Sequence, residues 1–293
     1  QAEDGIRDRS PSRGLGDVYK RQVITTFKPG DWDRYAKRMV ESVLNRWPNA
    51  DVTVYYQAEK PTSLDKAVDW IDIDQANPAL HKFREQYKND PVAMGKLNEI
   101  PGGVRRSPKL ATEGGLDAKK ESYLWNAVKF SYKVSCITHA VKTYKDYDYV
   151  IWLDDDTYTF RDMPMKFVNG ICPSDTMVTY LDRENDRGSN KYPECGLVCY
   201  NIKHSLIQNF VNDWEKLYTS ADIFQLLEWH DSYVFWHLIK EYKQKHSVKV
   251  HDIGYSKGVR GHHVFVNSEL GQYIDHFKGD RKDAKSSKAE DIR

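Results

Sequence analysis

Three consecutive carboxylates, Asp154-Asp155-Asp156, follow directly on the apolar run Tyr149-Val150-Ile151-Trp152-Leu153 and precede Thr157. Adjacent like charges repel one another where the dielectric is low. A bound divalent cation removes that cost and reverses the local electrostatics. In an extended backbone, residues two apart share a face, which makes Asp154 and Asp156 candidate metal ligands and turns Asp155 elsewhere. Hard carboxylate oxygens select Mn²⁺ or Mg²⁺. An exposed acidic turn would use the same residue type; the preceding buried strand is what favours a metal.

A second cluster lies near the C-terminus: His276-Phe277-Lys278-Gly279-Asp280-Arg281-Lys282. His276 has the chemistry of a third ligand beside two carboxylates. Gly279 permits close backbone approach to a phosphate. Lys282, with Lys278 and Arg281 nearby, offsets diphosphate charge. A basic tail is the competing reading, since Lys285 to Lys288 follow at once.

These residues need elements to position them. Val23 to Phe27 reads as a short buried strand. Trp32, Tyr35, Ala36, Met39, Val40, Val43, Leu44 and Trp47 recur at helical spacing until Pro48. Val52 to Tyr56 supplies a second strand, completing a βαβ unit and predicting a parallel sheet. A long helix is expected over 121–144 and further strands at 149–153, 176–181, 197–201 and 248–253. Helices are expected over 205–218 and 232–245, with one near 80–87. The fold class is therefore α/β: a mixed, mostly parallel sheet with helices on both faces, whose strand ends are where ligands bind.

Three segments read as lying outside that pattern. Residues 1–22 are polar and aperiodic, resemble translated sequencing-adapter read-through, and are expected to be a non-native or disordered tail. The fold is expected to span 23–282, with a Pro- and Gly-rich insertion at about 58–120. Residues 283–293 read as a flexible tail.

The formal net charge of +1 gives no global basic excess of the kind that marks a nucleic-acid binder. Tyrosines and tryptophans number 19 and 8, and both suit stacking on sugars and bases. Cys136, Cys172, Cys195 and Cys199 form no CxxC pair, which reads as buried, reduced thiols and a cytoplasmic setting. No stretch is apolar enough to span a membrane, and no signal peptide is visible.

An apolar strand ending in D-x-D-T, followed much later by H-F-x-G-x-x-K, resembles glycosyltransferase family 8, the glycogenin-like retaining nucleotide-sugar transferases. Where that family continues into Pro-Trp, this chain has Asp283-Ala284. The chain is also similar to uncharacterised bacterial and viral glycosyltransferase-like proteins. That likeness runs through Val-Ile-Thr-Thr-Phe (23–27), Phe-Ser-Tyr-Lys-Val (130–134), Glu-Cys-Gly (194–196), Glu-Trp-His-Asp-Ser-Tyr (228–233) and Gly-His-His-Val-Phe-Val-Asn (261–267).

The resemblance implies a GT-A fold, a metal held by Asp154, Asp156 and His276, and a diphosphate held by Gly279 and Lys282. It also implies a nucleotide seat at Thr25, Thr26 and Phe27, a donor-side lysine at Lys133, and Asp155 as a sugar-hydroxyl partner. Glu194 and Asp231 are its candidate catalytic carboxylates, although Asp231 also suits a helix start. The implied activity is transfer of a hexose from a UDP-sugar, with Mn²⁺ or Mg²⁺ and with retention of configuration. The acceptor is a glycan, a lipid, or modified DNA, the last suggested by Arg105, Arg106 and Lys109. A metal-dependent nucleotidyltransferase or phosphohydrolase, or a sugar-binding module without turnover, would use the same acidic run. His262 and His263 are expected to be exposed.

Overall fold

A computed structural model of the chain describes residues 19–64, 67–96, 123–183, 192–254, 263–279 and 281–287. Arg105, Arg106, Lys109 and His262 lie outside these residues, as does residue 280.

Nine strands occur among the described residues: β1 (Arg21–Thr26), β2 (Ala50–Tyr56), β3 (Asp69–Asp72), β4 (Tyr149–Leu153), β5 (Thr157–Thr159), β6 (Val178–Leu181), β7 (Glu194–Asn201), β8 (Val250–Asp252) and β9 (Ile274–His276). Seven form one sheet in the order β3-β2-β1-β4-β7-β6-β8. Pairings are parallel from β3 through β4 and between β6 and β8, and antiparallel on both sides of β7. β1 pairs β2 on one side and β4 on the other. The carboxyl ends of β1 and β4 therefore flank a point where the strand order reverses, the usual place for a ligand crevice in an open α/β sheet.

Strand alternation gives the sheet two cores. Val23, Val52, Val54, Ile151 and Leu153 share one with Met39, Val40 and Val43 of α1 (Lys37–Arg46). Ile24, Val150, Trp152 and Val198 share the other with Val134, Ile137 and Val141. These last three belong to α3 (Ala127–Thr143), which follows α2 (Pro78–Tyr87). Beyond it come α4 (Met165–Ile171), α5 (Ile207–Thr219), α6 (Asp231–His246) and the short α7 (Arg281–Ala284). The α/β class with helices on both faces is what the sequence predicted.

Several boundaries differ. The first strand starts at Arg21, two residues before the predicted edge of the tail, because Arg21 and Gln22 pair with β2 and β4 and are fully buried. The Gln22 amide donates to Thr53 Oγ1 at 2.8 Å, and an Arg21 guanidinium nitrogen donates to the Tyr19 carbonyl at 3.0 Å. Arg21 Nε and Gln22 Oε1 find no partner among the described residues. α3 starts at Ala127 rather than 121, where the Asn126 side chain caps the Lys129 N–H at 2.8 Å. At the other end, residues 283–287 are not a free tail. Asp283 pairs with Arg34 at 2.7 Å, and the Ser287 N–H donates to Asp275 at 2.9 Å.

All four cysteines are buried free thiols. No helix among the described residues is long and apolar enough to cross a membrane.

Candidate functional site

The carboxyl ends of β1 and β4 open into a cleft of about 410 Å³. Asp154, Asp155 and Asp156 all line it, but not through the extended backbone assumed from the sequence. β4 ends at Leu153, and the Thr157 N–H donates to the Asp154 carbonyl at 3.1 Å, closing a tight turn. In that turn Asp155 also faces the cleft instead of pointing away.

The turn runs into β5, which pairs antiparallel with β9 so that Thr157 stands opposite His276. The Phe277 N–H donates to the Asp156 carbonyl at 2.9 Å. This small ribbon brings two segments 120 residues apart in the chain to one place. His276 Nε2 lies 3.6 Å from Asp154 Oδ2 and 3.0 Å from Asp156 Oδ1. On the other side of the ring, Nδ1 lies 3.7 Å from Glu194 Oε1. One donor atom each from Asp154, Glu194 and His276 fits within 4.8 Å.

These residues fit a divalent cation. The buried His276 Nδ1 has no hydrogen-bond partner, and the Asp154 and Glu194 carboxylates converge on the ring. Asp156 lies outside that set of three and faces Nε2 through Oδ1 at 3.0 Å. Burial lowers the pKa of His276, but Asp156 outweighs it and holds the imidazole above its ordinary value. Asp156 is held well below the carboxylate range, since His276 and Lys282 outweigh burial. Asp155 is driven well above that range by burial and by its two acidic neighbours. That imbalance marks an acidic run short of positive charge.

The lysines and remaining carboxylates are arranged around this centre. Lys282 Nζ pairs with Asp156 Oδ2 at 2.8 Å. Gly279 is at φ +58°, with nothing within 4 Å of where a Cβ would sit, and borders the cleft. Lys278 pairs with Glu194 Oε2, while Glu194 Oε1 accepts the Gly196 N–H at 3.2 Å. Both Glu194 oxygens are thus engaged, and its pKa sits at about 2 because Lys278 and His276 outweigh burial.

Lys133 is buried among three acceptors: Asp231 Oδ2 at 2.7 Å, the Cys195 carbonyl at 2.8 Å and Asp154 Oδ1 at 3.0 Å. Its three hydrogens are all spent within the protein, so it links Asp154 to Asp231. Burial would lower the pKa of Lys133, but the two carboxylates hold it well above the ordinary lysine value. Lys133 in turn outweighs the burial that would raise Asp231, keeping that carboxylate ionised.

Of the predicted nucleotide seat, Thr26 and Phe27 line the cleft and Thr25 does not. Thr25 is fully buried and gives its hydroxyl to the Leu153 carbonyl at 2.8 Å. Alternation along β1 turns it inward. His263, expected on the surface, is buried, and its Nε2 is 2.6 Å from the His276 carbonyl.

Sequence reasoning missed Gly196. A Cβ there would lie 2.6 Å from His276 Cε1 and 2.7 Å from Nδ1. The strand was expected from 197, but it starts at Glu194, which makes Gly196 a glycine inside a strand, the mark of a close approach. Tyr35 was read only as a core residue, yet it reaches the cleft, and Lys282 stands over its ring at 4.9 Å.

Three solved glycosyltransferase structures resemble the chain. The WbbM bifunctional glycosyltransferase in its apo form is similar over 95% of this chain and 47% of its own, at 11% identity and a TM-score of 0.45. The chain thus spans about half the length of that protein. Apo mouse xyloside xylosyltransferase 1 is similar over 80% of this chain and 84% of its own, at 13% identity and a TM-score of 0.40. A glycosyltransferase involved in glycosylation of the major capsid of PBCV-1 is similar over 90% and 99%, at 11% identity and 0.42. No family model and no curated protein matches the chain.

Proposed function

We propose that this chain is a metal-dependent glycosyltransferase that moves a hexose from a UDP-sugar to an acceptor hydroxyl with retention of configuration. The observation that carries the reading is the meeting of Asp154 and Asp156 on one imidazole nitrogen of His276, with Lys282 on the far oxygen of Asp156. Two carboxylates, an imidazole and a lysine at the mouth of a switch-point cleft suit a diphosphate and its cation.

In this reading Asp154, Asp156 and His276 hold Mn²⁺ or Mg²⁺, which neutralises the leaving diphosphate when bound. An imidazole coordinates through one nitrogen while the other is held by a supporting carboxylate. Glu194 stands 3.7 Å from Nδ1, and its oxygens are engaged by the Gly196 N–H and Lys278, so it is set aside as the attacking carboxylate. Gly279 and Lys282 bind phosphate oxygens, Lys282 exchanging Asp156 for the ligand. Thr26 and Phe27 border the nucleotide, and Asp155 takes a sugar hydroxyl.

Asp231, kept ionised by Lys133, faces the transferred sugar and stabilises the positive charge that develops at the anomeric carbon. Lys133 acts through Asp231 and Asp154, not on the donor. The acceptor classes are a glycan, a lipid or modified DNA. Arg105, Arg106 and Lys109, which suggested the last, lie outside the described residues.

Asp154→Asn tests the reading. It keeps the volume while removing a ligand charge, and Mn²⁺ affinity and UDP release are expected to fall together. Unchanged metal binding in Asp154→Asn would remove this residue from the ligand set. Release of pyrophosphate instead of UDP would make the chain a nucleotidyltransferase.

A further inference from the structure

Five lysines border the cleft: Lys28, Lys129, Lys133, Lys278 and Lys282. Three are neutralised within it: Lys133 pairs with Asp154 and Asp231, Lys278 with Glu194, and Lys282 with Asp156. Lys28 and Lys129 have no carboxylate at ion-pair distance among the described residues. Lys129 is half-buried at the start of α3, its ammonium 4.5 Å from the Tyr123 ring centre and 5.2 Å from that of Phe130. Tyr123 itself is 50% exposed and forms part of the cleft wall.

Burial disfavours the charged form of Lys129, and Lys28 and Lys282 add to that; Asp231 and Asp154 favour the charge without offsetting burial, so its pKa falls. Two ammonium groups without a carboxylate partner among the described residues, one of them over the exposed Tyr123 ring, stand in a cleft whose other lysines are paired and are available to an external anion. An ammonium held over an aromatic ring at the cleft wall can meet an oxyanion carried by a sugar in the cleft.

We propose that Lys28 and Lys129, with the Tyr123 ring, form an oxyanion subsite that receives a carboxylate or phosphate carried by a sugar, separate from the diphosphate site at Asp154, Asp156 and Lys282. The proposal rests on the glycosyltransferase reading and narrows its substrates to acidic ones. The oxyanion belongs either to the transferred sugar, as in a uronic acid, or to the acceptor, as in a sugar phosphate.

The test compares wild type with Lys28→Gln/Lys129→Gln, both checked for unchanged thermal unfolding, by calorimetry in the presence of Mn²⁺. One arm measures UDP-glucuronate against UDP-glucose. The other titrates inorganic phosphate into protein saturated with UDP. The expected result is about tenfold weaker binding of one of these oxyanions in the variant, with affinity for UDP unchanged. Loss in the first arm places the oxyanion on the donor, and loss in the second places it on the acceptor.

Equal oxyanion binding by both proteins overturns the subsite. So does a parallel loss of UDP affinity, which would assign the lysines to the diphosphate. Should UDP itself fail to bind, the nucleotide reading falls, and phosphate titration of the free protein decides the subsite alone. Weaker phosphate binding in the variant supports it, and equal binding refutes it.

Discussion

Replacing Gly196 with alanine should detach His276 from the acidic centre without touching a ligand. Gly196 lies on β7 directly under the imidazole, and a Cβ there would sit 2.6 Å from Cε1. Carbon contacts become comfortable at about 3.5 Å, so the ring must retreat by roughly 1 Å. It has little room to do so. His276 is 1% exposed, with the Phe265 ring 5.0 Å from its own. Overpacking of this kind costs about 1–3 kcal/mol, and a metal site tolerates ligand shifts of only about 0.2 Å. Disturbing the support of a ligand typically lowers metal affinity on the order of 10–100-fold. Mn²⁺ titration followed by electron paramagnetic resonance reads this directly, with thermal unfolding as the measure of fold. Gly170→Ala is the control, because nothing lies within 4 Å of its Cβ position. Wild-type Mn²⁺ affinity in folded Gly196→Ala would refute His276 as a ligand.

Two further perturbations follow from buried charge. Lys133→Met leaves Asp154 and Asp231 without their shared cation and should destabilise the protein by about 3–5 kcal/mol in urea unfolding. Adding Asp231→Asn should recover part of that loss, whereas additive losses would deny the coupling. Asp74 donates nothing but accepts from the buried Arg84 guanidinium at 2.6 Å. Burial would raise its pKa, yet Arg84 and His81 outweigh burial and hold it below the ordinary aspartate value of 3.8. Its contribution is therefore complete above about pH 4 and is lost as pH falls through the lower folded value. Asp74→Asn should flatten acid unfolding below that pH, and an unchanged acid limb would contradict the pairing.

The parallel βαβ unit and the two-faced sheet were legible because they rest on local pattern: alternating β-branched residues in β1 and β2, and a helical stripe ended by Pro48. Asp154, Asp156 and His276 were legible as residue types, and the structure brings them together. The means of bringing them together was not legible. β5 and β9 have three residues each and form a distant pair, so no periodicity announces them. The Asp154 turn was misread as extended because an apolar strand says nothing of where it stops. Thr25 was placed in the cleft, but a one-residue step along a strand reverses its face. The positions of Lys133 and Glu194 depend on contacts between α3, β7 and the C-terminal segment, which no spacing along the chain encodes.

The proposed function requires the cleft to bind a nucleoside diphosphate sugar through a cation at Asp154, Asp156 and His276 and to cleave its glycosidic bond. The direct measurement is nucleotide release from a panel of UDP- and GDP-sugars with Mn²⁺, repeated after chelation and with His276→Ala. UDP release from at least one donor is expected, abolished by chelator and strongly reduced in the variant. Folded protein that releases no nucleoside diphosphate from any donor, or releases it equally well after chelation, would contradict it.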